Sequence, residues 1–221
     1  MTMDHSIALA ILLVAMCPQI ESWTEGEDFG SEIDIREALN TSEPLWLFWQ
    51  SDKNSFSVCS EDYCINETET CIRNVMIVIS SEDYYFNQVM LLNGVLYTTG
   101  YIGEFNDGKT PPKSMEVREV RDLAEDSGSG LHQLWVLEYL EPEDRRCMVF
   151  FIQELEGAIA DDLSICQMYI KGEPQPSDPP PGCQTFFKTR CNATHIYKPY
   201  STKCKEVVKL TDTPVNNAVR A

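Results

Sequence analysis

The stretch Asp83–Phe105, DYYFNQVMLLNGVLYTTGYIGEF, is the part of the chain that decides its fold. Two runs rich in aromatic and β-branched residues flank Asn93-Gly94, a dipeptide that favours the tight turn of a β-hairpin. The sequence therefore predicts two antiparallel strands, Asp83–Leu92 and Val95–Phe105, joined directly by this turn.

Six further segments with strand character lie on either side of this hairpin. Each is apolar, β-branched or alternately polar and apolar over six to ten residues, as buried and half-buried strands are. Mostly short turn-forming stretches separate them, which favours pairing between consecutive strands. The predicted strands are Leu45–Gln50, Cys71–Ser80, Ser114–Asp122, Leu131–Leu140, Arg146–Glu154 and Ser164–Ile170.

Eight consecutive antiparallel strands favour an all-β fold in which the sheet closes into a barrel. Closure removes both unpaired edges of the sheet, and an eight-stranded barrel has room for packed side chains or one small ligand. A β-sandwich built from the same strands is the competing architecture.

Short helices are predicted before and after the strands. Ser31 followed three residues later by Asp34 indicates a helix start, and Glu43-Pro44 ends the segment. After the last strand, five prolines in Glu173–Gly182 predict an extended connector. Beyond it, a cysteine, a phenylalanine and a second cysteine at four-residue intervals predict one face of a short helix: Cys183, Phe187 and Cys191.

The N-terminus and the cysteines indicate a secreted protein. Ile7–Met16 is uncharged and far shorter than the ~20 residues that cross a bilayer, so it suits a signal peptide with cleavage near Ser22, although a buried core helix is an alternative. Of the nine cysteines, Cys17 lies in this leader, and the other eight predict a disulfide framework formed in an oxidising compartment. We expect a signal peptide over residues 1–22, one domain over 23–221 with a frayed tail after 205, and no free thiol.

Charge and motifs narrow the function classes. The net charge of −18 excludes a nucleic-acid partner and an anionic membrane surface, and it suits a cationic small ligand. No zinc-type histidine motif, phosphate-binding loop or nucleophile elbow is present, so we expect neither an enzyme nor a bound cofactor or metal. Three sequons predict N-glycosylation at surface positions: Asn40, Asn66 and Asn192.

Four motifs, in order along the chain, carry a family resemblance. They are Asp34-Ile-Arg-Glu-Ala-Leu-Asn followed by Glu43-Pro-Leu-Trp-Leu-Phe-Trp; Thr70-Cys-Ile-Arg-Asn; Cys166-Gln-Met-Tyr; and Cys183-Gln-Thr-Phe-Phe-Lys-Thr-Arg-Cys191, with His195-Ile-Tyr before Cys204. Together they resemble the tick salivary lipocalins, the histamine-binding family of hard ticks. The resemblance implies an eight-stranded antiparallel lipocalin barrel with a short N-terminal helix and a disulfide-pinned C-terminal helix.

The resemblance also implies how the cysteines pair, which spacing alone leaves open among 105 connectivities. Three pairs follow the family, and the remaining two cysteines are extra to its pattern and close a small local loop. The implied pairs are Cys71–Cys204, Cys147–Cys183 and Cys166–Cys191, with Cys59–Cys64 as the local one.

Candidate ligand-binding residues are an acid, an amide and several aromatic side chains. Relatives that bind histamine place a barrel acid where Glu138 stands, whereas their acid in the last-strand motif is replaced here by Gln167. An amide can orient a ligand but cannot neutralise an ammonium group. The aromatic residues that could line a cavity are Trp46, Trp49, Tyr101, Trp135 and Tyr169.

These residues predict a secreted, monomeric scavenger of a small host mediator, histamine or another biogenic amine. Two alternatives remain open. A lipid mediator such as a leukotriene or fatty acid could bind, with Arg73 or Arg118 holding its carboxylate. The second alternative is a protein-binding function, in which the protein acts on a host immune or haemostatic protein through two segments expected to be loops, Ser51–Thr70 and Glu154–Leu163.

Overall fold

The computed structural model describes residues 33–60, 63–120, 132–155 and 165–206. The predicted signal peptide, its cleavage site, most of the segment 154–163 and the tail from residue 207 lie outside the described residues.

Strands make up most of the described chain. The two helices are α1 (Ile35–Leu39) and α2 (Pro181–Arg190). The nine strands of the described residues are β1 (Leu45–Gln50), β2 (Ser55–Cys59), β3 (Cys64–Ile79), β4 (Asp83–Leu92), β5 (Val95–Phe105), β6 (Ser114–Glu119), β7 (His132–Leu140), β8 (Cys147–Glu154) and β9 (Ile165–Lys171).

Eight of these strands close into an antiparallel barrel. From β3 to β9 each strand pairs with the next along the chain, and β1 pairs with β9 on one side and with β3 on the other. The hairpin that decided the fold prediction is present in the expected register, since Leu92 pairs with Val95 across the turn at Asn93-Gly94. The predicted eight-stranded barrel is confirmed, and the sandwich alternative is wrong.

The ninth strand, β2, was not predicted. Ser51–Thr70 was expected to be a loop, but it contains β2 and the first part of β3, which together form a hairpin extending from the barrel. Within this part of β3, Asn66–Thr70 (NETET) are polar and carry no apolar signal for a strand. Backbone pairing with β2 and the Cys59–Cys64 disulfide hold this hairpin in place.

One apolar cluster fills the barrel interior. Every one of the eight barrel strands contributes to it, which only inward-facing side chains of a closed barrel can do. Its buried members on the strands are Leu45, Leu47, Ile72, Tyr84, Phe86, Tyr101, Phe105, Met115, Val117, Trp135, Leu137, Leu140, Met148, Phe150, Ile152 and Tyr169.

Helix α1 covers one end of this interior. Ile35, Ala38 and Leu39 are buried in the same cluster, and the N–H group of Ile35 donates to the carbonyl of Pro112 just before β6 (3.0 Å). The helix starts later than the sequence predicted, because the capping group is the side chain of Asp34, which accepts from the N–H of Arg36 (2.9 Å).

Helix α2 packs on the outside of the barrel. Cys183 and Phe187 are fully buried against β8 and β9, and disulfides Cys147–Cys183 and Cys166–Cys191 fix both ends of the helix to these strands. The predicted connector ran to Gly182, but the helix begins at Pro181. Proline is well suited to the first helical turn, where its missing N–H is not needed.

The remaining disulfides fix the C-terminal segment and the extra hairpin. Cys71–Cys204 joins β3 to the C-terminal segment, and Cys59–Cys64 joins β2 to β3. Three of the four disulfides are the pairs that the family resemblance implied, and the fourth is the local Cys59–Cys64 pair. All three sequon asparagines are exposed, so each is accessible to modification: Asn40, Asn66 and Asn192.

A buried carboxylate from the barrel caps α2. Glu141 is only 8% exposed, and its Oε2 accepts from the N–H of Cys183 (3.1 Å) in the first turn of the helix and from the Tyr139 hydroxyl (3.3 Å). A negative charge there satisfies an N–H group that has no partner within the helix and complements the helix dipole. Gly182 makes this approach possible, because a Cβ atom would lie 2.4 Å from the Tyr139 oxygen.

We expect Glu141→Ala to lower the free energy of unfolding by about 2 kcal/mol, because two buried donors lose their acceptor. Urea unfolding followed by tryptophan fluorescence measures the change. The matched control is Glu143→Ala, which removes an exposed acid two residues away and should change stability by less than about 0.5 kcal/mol. Equal effects of the two variants would show that the cap contributes nothing specific.

No helix among the described residues is long and apolar enough to cross a membrane.

Candidate ligand site at the barrel mouth

Six aromatic rings cross the middle of the barrel interior in mutual contact. Neighbouring ring centroids are 4.9–6.0 Å apart, from Tyr84 on β4 to Tyr169 on β9. The rings belong to Tyr84, Phe86, Tyr101, Trp135, Phe150 and Tyr169. This aromatic layer and α1 together fill the end of the barrel that α1 covers.

The opposite end, where β1, β4, β6 and β8 finish, is called here the barrel mouth. A layer of amide side chains lies between it and the aromatic layer. Asn74 and Gln88 are direct cross-strand partners and share a hydrogen bond (3.2 Å), and Gln50 opposes Gln167 across β1 and β9. The Tyr169 hydroxyl donates to Gln167 Oε1 (2.7 Å), which links the amide layer to the aromatic layer.

Two carboxylates of the barrel mouth lie near Tyr101, at the edge of the aromatic layer, and raise the pKa of its hydroxyl group. Glu119, the last residue of β6, is directly opposite Tyr101 on β5, so their side chains share the inner face. Glu69 lies on β3. Burial raises the pKa of the Tyr101 hydroxyl first, and the negative charges of Glu119 and then Glu69 raise it further. Both acids therefore lie close enough to this ring to act on it electrostatically.

The surroundings of Glu69 also shift the pKa of its own carboxyl group. Burial raises the pKa of its carboxyl group above the usual range, and the nearby charges of Asp52 and Glu67 add to the shift. A carboxylate that loses hydration and faces like charges is stabilised by a cation placed beside it. The barrel mouth therefore has a negative, partly desolvated character.

The structure brings some of the predicted site residues together. Tyr101, Trp135, Tyr169 and Gln167 are neighbours on the inner face, and the centroids of the Trp135 and Tyr169 rings are 6.0 Å apart. The Trp135 indole N–H donates to Gln133 at the start of β7 (3.0 Å), so this ring also reaches toward the barrel mouth.

Trp46 and Trp49 lie outside the barrel interior. Trp46 packs with the Cys71–Cys204 disulfide and Tyr200, and Trp49 packs against Phe187 of α2. A β-bulge between Leu47 and Trp49 turns the second tryptophan to the outer face. Both rings thus anchor the C-terminal segment and are not part of an interior site.

Glu138 is also away from the barrel mouth. It lies at a β-bulge between Leu137 and Tyr139, near the end covered by α1, and its carboxylate pairs with Nζ of Lys113 at 3.3 Å. Its charge is therefore already balanced by a neighbouring side chain.

Sequence reasoning missed Glu69 and Glu119. Glu119 stands in an alternating strand, where sequence alone does not tell which face is inside, and Glu69 falls in the segment expected to be a loop. The signal that finds them is the strand register, which places Glu119 opposite an interior tyrosine. Within the described residues, no group of three His, Cys, Asp or Glu side chains could hold a metal ion.

No protein-family model matches this chain, and no curated protein matches it in sequence. Among solved structures, Japanin from Rhipicephalus appendiculatus bound to cholesterol is similar with 10% identity and a TM-score of 0.46, over 76% of this chain and 98% of Japanin. Lobster apocrustacyanin A1 is similar with 12% identity and a TM-score of 0.49, over 81% of this chain and 93% of that protein. These similarities are too low to assign a ligand.

Proposed function

We propose that this protein is a secreted lipocalin that binds and sequesters a small cationic molecule of the biogenic-amine class, such as histamine or serotonin. It would act as the tick salivary lipocalins do, removing a host mediator by stoichiometric binding. The observation that carries the proposal is the pair of half-buried acids, Glu69 and Glu119, acting on Tyr101 at the barrel mouth.

The chemistry of an aromatic amine fits this arrangement. An ammonium group that leaves water must be paired with negative charge, and the two carboxylates supply that charge. A cation also gains when it lies over an aromatic face, which Tyr101 offers beside the same acids. The amide layer, including Gln167, supplies donors and acceptors for a ring nitrogen or hydroxyl group of the ligand.

The lipid-mediator alternative is less well supported. A fatty-acid carboxylate at the barrel mouth would meet Glu69 and Glu119, which repel it. The two arginines considered as anchors are turned outward: the guanidinium of Arg73 lies over the Trp46 ring at 5.1 Å, and Arg118 pairs with Glu104 on the exposed face.

Secretion is supported by the disulfides. Three bonds join cysteines that are distant in sequence and the fourth closes the end of an exposed hairpin, and such frameworks form and persist in oxidising compartments. A scavenger of a host mediator must work in that environment.

A matched pair of ligands tests the proposal directly. We expect serotonin to bind with one-to-one stoichiometry and 5-hydroxytryptophol, which replaces the ammonium by a hydroxyl on the same ring system, to bind at least about tenfold more weakly. Calorimetry and native mass spectrometry of the secreted protein measure both, with histamine and arachidonic acid alongside. Equal affinity for the two indoles would contradict charge recognition, and preferential binding of arachidonic acid would favour the lipid alternative.

A further inference from the structure

Within the part of the chain that the structure describes, the β2–β3 hairpin leaves one edge of the sheet uncovered. β2 is the last strand in the sheet order, and it pairs with β3 alone among the strands of the described residues. All five of its residues are exposed. Proteins normally shorten, cover or charge such an edge, because its free backbone groups can pair with another chain.

The register shows which backbone groups are free. The Cα atoms of Cys59 and Cys64 are 4.0 Å apart, the short spacing of a pair that does not exchange backbone hydrogen bonds. Bonded and non-bonded pairs alternate along an antiparallel ladder, and the next non-bonded residues of β2 are Ser57 and Ser55. The N–H and C=O groups of these three β2 residues therefore point away from β3, toward solvent.

The two faces of the hairpin differ in character. Phe56, Val58 and Ile65 share one face and are 44%, 46% and 45% exposed, which is unusual for large apolar side chains on the same patch. The other face is polar, with Ser57 donating to Asn66 Oδ1 (2.6 Å). A glycan on the Asn66 sequon would leave the apolar face and the β2 edge uncovered.

The apolar face also carries two acids at the end of the hairpin that is nearer to the barrel. Glu67 is directly opposite Phe56, and Glu69 follows two residues later on the same face of β3. Pairing two copies of this chain at the β2 edge would bring these acids together on proteins that each carry a net charge of −18. The charge therefore disfavours a second copy and favours a cationic partner.

We propose that the β2 edge is a docking site for an extended segment of a protein partner that carries apolar side chains followed by basic side chains along one face. The segment would add as a strand to β2 through the backbone groups of Ser55, Ser57 and Cys59. On that face its apolar side chains would cover Phe56, Val58 and Ile65, and its basic side chains, further along the same face, would pair with Glu67. This docking site borders the amine site at Glu69, but its backbone contacts are made by β2 alone.

A proline substitution tests the backbone contact. Ser57→Pro removes one outward N–H without removing a β2–β3 ladder bond, and the matched control Ser57→Ala keeps the N–H while losing the same hydroxyl. The probe is an acetylated and amidated seven-residue peptide, Val-Thr-Val-Thr-Lys-Thr-Lys, whose valines and lysines all lie on one face of an extended strand. The charge control is the same peptide with glutamate in place of lysine. We expect the lysine peptide to bind the wild type and Ser57→Ala equally, and Ser57→Pro at least tenfold more weakly.

Hydrogen exchange of the full chain provides a second readout. The amides of Ser55, Ser57 and Cys59 should exchange rapidly in the protein alone and become protected when the lysine peptide is added. Protection without peptide in a monomer would mean that another segment of this chain covers the edge, and protection accompanied by dimerisation would mean that a second copy does. Either result, or equal peptide affinity of the proline and alanine variants with native circular dichroism, would overturn the proposal.

Discussion

Replacing Cys71 and Cys204 together by alanine is expected to lower the free energy of unfolding by about 5 kcal/mol in the chain-entropy model. The bond joins residues separated by 133 positions, so its loss releases a very large loop in the unfolded chain. It also detaches the C-terminal segment, whose Tyr200 packs on Trp46 outside the barrel. Because small proteins are stabilised by only about 5–15 kcal/mol, this change should bring the fold close to its limit.

Urea unfolding monitored by tryptophan fluorescence measures this loss, and the exposed Cys59–Cys64 disulfide supplies the control. Cys59 and Cys64 are separated by 5 positions, so their double alanine variant should lose about 2 kcal/mol by the same relation. If both variants lost the same amount, loop length would not be the source of the stabilisation. Faster limited proteolysis after residue 197 in the first variant alone would report release of the C-terminal segment.

The parts of the fold that could be predicted from sequence are those with strong local signals. Asn93-Gly94 fixed the turn and register of the β4–β5 hairpin, because few other dipeptides adopt the required backbone conformation. The spacing of Cys183 and Phe187 placed both on one face of α2 for a similarly local reason. In contrast, β2 depends on pairing with a polar stretch of β3, so its stability comes from contacts between segments.

The candidate site shows a different limit of sequence reasoning. Both faces of β1 are apolar, because the inner face packs in the barrel and the outer face packs under α2 and the C-terminal segment. Hydrophobicity therefore did not show that Leu45 and Leu47 point inward and Trp46 outward. The same ambiguity hid Glu119, whose inward position follows only from its pairing with Tyr101.

The largest effect on ligand binding is expected from the acids at the barrel mouth. Glu69→Gln and Glu119→Gln should each weaken serotonin binding at least about tenfold, and the double variant about a hundredfold or more, since each removes one charge that pairs with the ammonium. Calorimetry at fixed ionic strength measures these changes. The control is Glu138→Gln, whose carboxylate pairs with Lys113 near the opposite end of the barrel and whose loss should leave the affinity within about twofold.

The pH dependence of binding separates the two acids. Burial and the charges of Asp52 and Glu67 raise the pKa of Glu69, so this carboxylate takes up a proton at a higher pH than an ordinary glutamate does. Protonation removes its attraction for the ammonium, so serotonin affinity should fall as the pH is lowered, and the fall should begin at a higher pH than the titration of an ordinary glutamate would cause. Glu69→Gln has no such proton to bind and should show a smaller fall, whereas Glu119→Gln should keep it. Parallel loss of affinity in the wild type and in Glu69→Gln would show that Glu69 does not contact the bound cation.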